Sequence, residues 1–442
     1  MPALIQVAII GAGPAGLFAA EKLAQDGFSV ALFNRDIKPG GMAEYGIYPE
    51  KHNLKDGLRR QFERILANEN VHYFGNACIG QDRCITIPQL LEWGFPAVLI
   101  SCGAQGTKWL GIPGENLAGV FHAKDLVFHY NRLPPFSTAP IKIGSRVVVV
   151  GAGNVMADVA RYLLGQSVVE EIHICVRRGP AEVKFTQKEL ESIIAGFDFE
   201  ALAGEFLRVT PLMASLGQDP EAEMGLYLKA LEKSGADEKK PVIKMHFLVS
   251  PIEMQGDGNG RVDTLVLEDN TLISDGQTTS ARGLGTRRQL DVDTVVFAIG
   301  DKVEEQLGVP VQRYEYRHTQ DPVYPVEGQS YEIEDPRTGK PWKGMFVAGW
   351  SRMASSGLVG NAKKDGVNSA EAITRYLSKE RPDDGFALLA LEEKLADIHD
   401  PVVRKADLER LVAEEHRLAG NNPLESVKFL TNEEMLKVMG LI

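Results

Sequence analysis

The stretch from Ile5 to Asp36, IQVAIIGAGPAGLFAAEKLAQDGFSVALFNRD, limits what this chain can fold into more than any other. Val7 to Ile10 form a short apolar run suited to a buried parallel strand. Gly11, Gly13 and Gly16 then complete G-x-G-x-x-G, Leu17 to Ala24 carry helical periodicity, and Phe28 to Phe33 supply a second strand. The glycines serve a tight turn, a close backbone approach to a pyrophosphate, and close packing of helix on strand. The free N–H groups at the helix start then face phosphate. A bare glycine pattern is weak in a chain with 44 glycines, but this one sits between a strand and a helix, which is the context that gives it meaning. The second strand ends in Asn34, Arg35 and Asp36 rather than in the acid usual for ribose hydroxyls. Asn34 still accepts and donates hydrogen bonds, without charge.

A second unit of the same kind follows. Val147 to Val150 read as an apolar strand, Gly151-Ala152-Gly153-Asn154 as a glycine turn, Val155 to Leu164 as a helix and Glu171 to Val176 as the next strand. Met156 holds the third glycine position. That strand runs into Arg177-Arg178 with no acid. An acid there reads the 2′-hydroxyl of NAD, whereas arginine, with a planar fork matched to phosphate, suits the 2′-phosphate of NADP. Two nucleotide units in one chain imply a division of labour, one holding a flavin and the other delivering NADPH to it.

At 442 residues the length suits two to three domains, and the formal charge of −12 argues against a general nucleic-acid or anionic-membrane binder. No apolar run approaches a membrane helix, and the first residues lead straight into a strand, so the expected location is cytoplasmic. Cys78, Cys84, Cys102 and Cys175 contain no C-x-x-C pair, which removes a thioredoxin-reductase-like dithiol and a cysteine-ligated iron–sulfur cluster. No metal site is expected.

The intervening segments are expected as follows. Lys38 to Lys55 is a loop near the first nucleotide, Asn53 to Ala67 a helix, Val71 to Ile79 a strand, and Ala97 to Ser101 a buried strand. Ile243 to Val249, Val262 to Glu268 and Val292 to Ala298 are strands, with a hairpin turn at Gly256 to Gly260. Gln320 to Lys343 is a long irregular connection, Met345 to Ala348 a strand, and a helix opens at about Leu358. Ala387 to Ala396 and Lys405 to Arg417 are amphipathic helices.

GGMAEYGIYPEKHNLK, GNACIG, GIPGE, GAGNVMADVARYLL, VRRGPAEVKFTQKEL, FAIGDKV, GMFVAGW and FLTNEEMLKVMG, in this order and over nearly the full length, resemble the adrenodoxin-reductase type of ferredoxin–NADP reductase. This is a branch of the two-dinucleotide-binding-domain flavoproteins, related to the glutamate synthase small subunit, whose amino-terminal cysteine clusters are absent. The resemblance implies an α/β fold of two Rossmann-like domains. The FAD domain would be discontinuous (1–105 and 300–442, the latter with the C-terminal helices) and the NADP domain inserted at 106–299. It places FAD contacts at Ala15, Asn34, Met42, Ile79, Trp350 and Gly357-Leu358-Val359, beside Gly11, Gly13 and Gly16. It places NADP contacts at Ala152, Gly153, Asn154, Val155, Arg177, Arg178 and Glu189, with Gly357 near the nicotinamide. No catalytic acid, base or nucleophile is assigned.

The implied reaction is hydride transfer from NADPH to FAD, then electron delivery to a ferredoxin-like protein. Two alternatives stay open: the same chemistry with a quinone, small-molecule or subunit acceptor, or a structural or relay flavin with little NADPH turnover. The chain departs from the family at Asn34, at Glu44 and Glu191 in place of basic residues, at Lys51 beside His52 in place of a histidine, and at Ala354-Ser355-Ser356-Gly357 in place of G-P-T-G. A basic patch for an acidic ferredoxin would draw on Arg282, Arg287, Arg288, Lys363 and Lys364.

Overall fold

The computed structural model describes residues 4–80, 85–234, 242–354, 357–380, 385–397, 401–420 and 427–442. The chain divides into two compact units: 1–107 with 128–138 and 300–442, and 108–127 with 139–299. Cys84, Ser355 and Ser356 lie outside the described residues.

In chain order, the first unit opens with β1 (Val7–Ile10), α1 (Pro14–Gln25), β2 (Val30–Phe33), α2 (Met42–Tyr45), α3 (His52–Leu66), β3 (Val71–Phe74) and β4 (Ala97–Ile100). The second unit contains β5 (Val120–His122), β6 (Arg146–Val150), α4 (Asn154–Leu164), β7 (Glu171–Val176), α5 (Gln187–Glu191), α6 (Phe199–Ser215) and α7 (Pro220–Ser234). It continues with β8 (Val242–Phe247), β9 (Val249–Gly256), β10 (Val262–Ser274), β11 (Thr279–Asp291) and β12 (Thr294–Phe297). The chain then returns to the first unit through β13 (Glu332–Glu334), β14 (Pro341–Val347), α8 (Val359–Glu380), α9 (Lys405–Ala419) and α10 (Asn432–Met439).

Each unit is built on a sheet that is buried on both faces. In the first the strand order is β13-β14-β4-β1-β2-β3, parallel except for the β13–β14 pair. Residues of β1 alternate between two cores: Val7 and Ile9 pack on the α1 side with Leu17, Phe18 and Phe62, and Ala8 and Ile10 pack with Phe33, Phe74 and Val98 on the other. That alternation is why the strand reads as an unbroken apolar run rather than a polar–apolar one. In the second unit the order is β8-β7-β6-β12-β5, all parallel, and the β9-β10-β11 antiparallel sheet follows from β8. The doubly nucleotide-binding α/β architecture expected from the two glycine turns is the one observed.

Three local readings need correction. The expected strand Val71 to Ile79 stops at Phe74, because Asn76 adopts a left-handed conformation with φ of 54°. The single strand expected over Ile243 to Val249 is two strands: Leu248, with φ of 55°, turns the chain out of the parallel sheet and into the antiparallel one. β11 escaped the sequence reading because Thr, Gly and Arg dominate it and most of its residues are exposed. Its order comes from ten paired positions along β10 rather than from any apolar face. The Gly256 to Gly260 hairpin is present. The long connection from Gln320 is irregular apart from β13, yet Tyr324, Val326 and Tyr331 bury into the first unit's core, so it is a packed segment.

Candidate dinucleotide sites

Gly11 lies at φ of 105°, and a Cβ on Gly16 would sit 2.0 Å from the Gly11 carbonyl oxygen. The first and third glycines are therefore fixed by the turn itself and by α1 closing on it. Gly13 differs: a Cβ there meets nothing within 4 Å, so the middle glycine leaves open space over the helix start. α1 begins without a side-chain cap and without an acid in its first turn. The second unit repeats this arrangement. Gly151 has φ of 136°, Gly153 faces open space, and α4 has neither a cap nor a first-turn acid. Side chains close some other helix starts, as Asp198 does for α6 and Thr431 for α10, whereas α2 and α3 also begin without a side-chain cap. Two glycine-turn helices are left with bare N–H groups and no competing anion, which is the chemistry that receives dinucleotide phosphates. Gly16→Ala is expected to cost about 1–3 kcal/mol through this overpacking and to yield protein lacking bound flavin, checked by thermal unfolding and the visible absorbance of the purified variant.

Ala15 is buried: a Cβ on Gly349 would be 2.7 Å from its Cβ, and one on Gly366 would be 2.2 Å from its carbonyl oxygen. α8 and the turn after β14 thereby meet the start of α1. Gly349 donates its N–H to Asp365, which also holds the buried Arg352. Trp350 belongs to this 3-10 turn, and Ser351, fully buried, accepts from the Gly103 N–H at 2.9 Å beyond the end of β4. The candidate flavin residues Ala15 and Trp350 thus come from elements that pack on one another. Met42 starts α2, whose preceding residue Gly41 lies against the phosphate turn: a Cβ on Gly41 would be 3.2 Å from the Gly13 Cα. Ile79 forms a bridge with Ile85. Gly357 adopts φ of 78°, Leu358 is 65% exposed, and Val359 opens α8. The helix start expected there is partly closed, because Asn361 Oδ1 accepts the Leu358 N–H at 3.1 Å.

Asn34 is largely committed within the protein. Its Oδ1 accepts from the Ala12 N–H at 3.1 Å, and its Nδ2 donates to the carbonyls of Asp36 and Lys38 at 2.9 and 3.0 Å. The amide ties the glycine turn to the loop after β2. One Oδ1 lone pair remains for a ribose hydroxyl, where a carboxylate would offer more.

In the second unit β7 delivers Arg177 and Arg178 to the carboxyl edge of the sheet. Their backbone is held by Asn270, which donates to the Arg177 carbonyl at 3.0 Å, and by the Leu248 N–H, which donates to that of Arg178 at 3.1 Å. Arg177 is exposed and Arg178 half-buried, and neither guanidinium has an ion pair among the described residues. Asn154 starts α4 and accepts the Thr186 N–H at 2.9 Å, Ala152 accepts the Lys184 N–H at 2.8 Å, and Val155 is exposed. Glu189 stands on α5, where Thr186 Oγ1 caps its N–H.

A buried ionic network supports α2, and the sequence reading missed it. Glu44 is 4% exposed; Arg59 of α3 grips its carboxylate with two contacts of 2.8 Å, and Lys428 reaches it at 2.8 Å. Lys428 also donates to the carbonyls of Glu44 and Asn131, while Lys55 donates to Asn131 Oδ1 at 2.6 Å. Burial opposes charge on Glu44, but Lys428, Arg59 and Lys38 outweigh it and hold the carboxyl well below the usual range. Burial, with Lys428 adding repulsion, lowers Lys55 to about 7, and burial lowers Lys428 to about 8 against the pull of Glu44. Glu44 therefore replaces the family's basic residue as the centre of a compensated cluster.

Lys55 carries a pH prediction. Unfolded, its amine keeps a proton up to 10.5; folded, it releases it near 7. Between these values the unfolded chain binds more protons, so this group's penalty is complete below pH 7 and fades as pH rises toward 10.5. The shift amounts to on the order of 5 kcal/mol, offset by about 1–3 kcal/mol for the lost contact to Asn131 Oδ1. Lys55→Met is expected to be more stable than the parent at pH 6 by on the order of 3 kcal/mol, with the margin shrinking by pH 9, as followed by urea unfolding.

The residues expected to form a basic patch come from both units. Arg282, Arg287 and Arg288 belong to β11 in the second unit, with Arg288 paired to Asp269. Lys363 and Lys364 belong to α8 in the first, where Lys363 lies over the Phe18 ring and Lys364 pairs with Glu327. Glu191 is held by Lys233 at 3.1 Å. No helix among the described residues is long and apolar enough to cross a membrane.

Residues 5–196 match the family described as pyridine nucleotide-disulphide oxidoreductase. An NADPH-ferredoxin reductase FprA from Mycobacterium leprae is 29% identical over 86% of this chain and 86% of its own. The mitochondrial NADPH:adrenodoxin oxidoreductase of Salvelinus fontinalis is 28% identical over 98% of this chain and 91% of its own. The chain is a homologue of these reductases. The solved structure of Mycobacterium tuberculosis FprA in complex with NADPH superposes on this reductase homologue with a TM-score of 0.80, at 27% identity, covering 98% of this chain and 99% of that one. The resemblance expected from the motifs is borne out over the length of the chain, and so is the fold class.

Proposed function

We propose that this protein is an NADPH-dependent flavoprotein reductase that binds FAD in the first unit and NADP(H) in the second, and passes electrons to a ferredoxin-like iron–sulfur protein. The observation that carries this reading is the duplication of the uncapped glycine-turn helix, with Arg177 and Arg178, which have no ion pair among the described residues, beside the second copy. The names of the homologues, NADPH-ferredoxin reductase and NADPH:adrenodoxin oxidoreductase, support the donor and the kind of acceptor.

Gly11, Gly13 and Gly16 present the start of α1 to the flavin nucleotide's phosphates, with Met42, Ile79, Trp350 and Gly357 to Val359 around the remainder. Asn34 offers Oδ1 to the ribose. Ala152 to Val155 take the second dinucleotide's phosphates, and Arg177 and Arg178 its 2′-phosphate. When bound, the flavin accepts a hydride from the nicotinamide and releases electrons singly, which is why the chain needs no acid, base or nucleophile of its own. The absence of a C-x-x-C pair fits an acceptor that is not a disulfide.

Steady-state turnover with NADPH and a panel of acceptors tests the assignment. Reduction of an acidic [2Fe–2S] ferredoxin, read through cytochrome c, should exceed that of quinones at equal concentration. A preference for quinones over every ferredoxin would replace the acceptor while leaving the nucleotide sites in place.

A further inference from the structure

The loop from Gly179 to Thr186 closes over the second glycine turn and is held at several points. Glu182 Oε2 accepts the Gly179 N–H at 2.9 Å, and Val183 donates its N–H to the Pro180 carbonyl at 3.3 Å. Lys184 then donates its N–H to Ala152, Phe185 packs edge-on against Tyr227, and Thr186 donates its N–H to Asn154. Residue 184 is thereby fixed beside the turn that leaves open space over Gly153. Its side chain is exposed, and its ammonium has no ion pair among the described residues. The acid on the same loop is committed elsewhere, since Glu182 Oε1 accepts from Gln218 and from Thr279.

A lone exposed lysine is usually no more than solvated. Here the backbone is anchored on both sides of the residue, directly onto the dinucleotide turn. A compact ammonium on a four-carbon stem needs no further ordering of the chain to reach a phosphate there.

We propose that Lys184 is a phosphate-binding residue of the second unit, supplying a positive charge to the pyrophosphate of the nicotinamide dinucleotide while Arg177 and Arg178 take the 2′-phosphate. This inference rests on the assignment of NADP(H) to the second unit and adds a residue to it.

The test is calorimetric titration of the FAD-loaded protein with NADP+ and, separately, NAD+, for the parent, Lys184→Ala, Lys184→Arg and the exposed charge control Lys229→Ala. Lys184→Ala should raise Kd for NADP+ about tenfold, the loss of one charge-assisted contact. NAD+ should weaken by the same factor, because both dinucleotides carry the pyrophosphate, and the salt dependence of binding should become shallower. Lys184→Arg should stay within about threefold and Lys229→Ala should match the parent, with unchanged melting temperatures throughout. Equal affinities of Lys184→Ala and the parent would overturn the Lys184 assignment alone. Weakening of NADP+ but not NAD+ would also overturn it, by moving the lysine to the 2′-phosphate. A parent that binds neither dinucleotide would overturn the assignment of the second unit together with it.

Discussion

Replacing Glu44 with alanine should lower the stability of the first unit by about 3–5 kcal/mol, the cost of stranding buried charge. The carboxylate is the shared partner of Arg59 and Lys428, and Lys428 is only 8% exposed, so its ammonium is left buried without its counter-ion. Lys428 comes from the segment before α10, so the loss also unfastens the C-terminal segment from α2. Because Gly41 lies against Gly13, loosening α2 reaches the phosphate turn, and the variant should retain less flavin. Urea unfolding and the flavin-to-protein absorbance ratio measure the two effects. The double variant Glu44→Ala, Lys428→Met removes the stranded ammonium, so it should be more stable than Glu44→Ala alone, the signature of direct coupling. Simple additivity of the two losses would show that the network contributes through packing and not through charge.

The second large effect concerns nucleotide choice. Arg177→Ala combined with Arg178→Ala should raise Kd for NADPH by about 100- to 10,000-fold, since charged hydrogen bonds contribute about 1.5–3 kcal/mol each. NADH, with no 2′-phosphate, should change by less than about threefold. The backbone here is fixed by Asn270 and Leu248, and neither side chain has an ion pair among the described residues, so the truncations leave the fold intact and the measurement reports binding. Fluorescence titration of both nucleotides against parent and variant is sufficient. A parallel loss for NADH would place the arginines on the pyrophosphate or on the protein itself.

The two β-α-β units were legible because each depends on short-range rules. A buried parallel strand must be apolar throughout, a phosphate turn requires glycine at fixed spacing, and the helix after it shows a 3.6-residue period. Val7 to Ala24 satisfies all of these locally, and Val147 to Leu164 all but the third glycine. The features that escaped depend on partners far along the chain. Nothing near Leu248 announces a left-handed residue; that conformation follows from its carbonyl and N–H bonding to Asn270 of β10 and to Arg178 just beyond β7. β11 has no apolar face of its own and is ordered by β10. Glu44 looks like a reversal of charge against the family until Lys428, 384 residues away, is seen beneath it. Asn34 likewise reads as a weakened ribose ligand, yet its amide is what joins the glycine turn to the loop after β2. Of the candidate residues, the glycines and the strand-end arginines follow from spacing, whereas Met42, Ile79, Trp350 and Glu189 were reached only through the resemblance.

The central claim is that the second unit delivers NADPH to a flavin held by the first. Anaerobic stopped-flow absorbance of the FAD-loaded protein, mixed with NADPH and separately with NADH, tests it most directly. NADPH should bleach the flavin band rapidly, and NADH at the same concentration should do so much more slowly. A bound flavin that neither nucleotide reduces would contradict it and leave the protein with a structural or relay flavin.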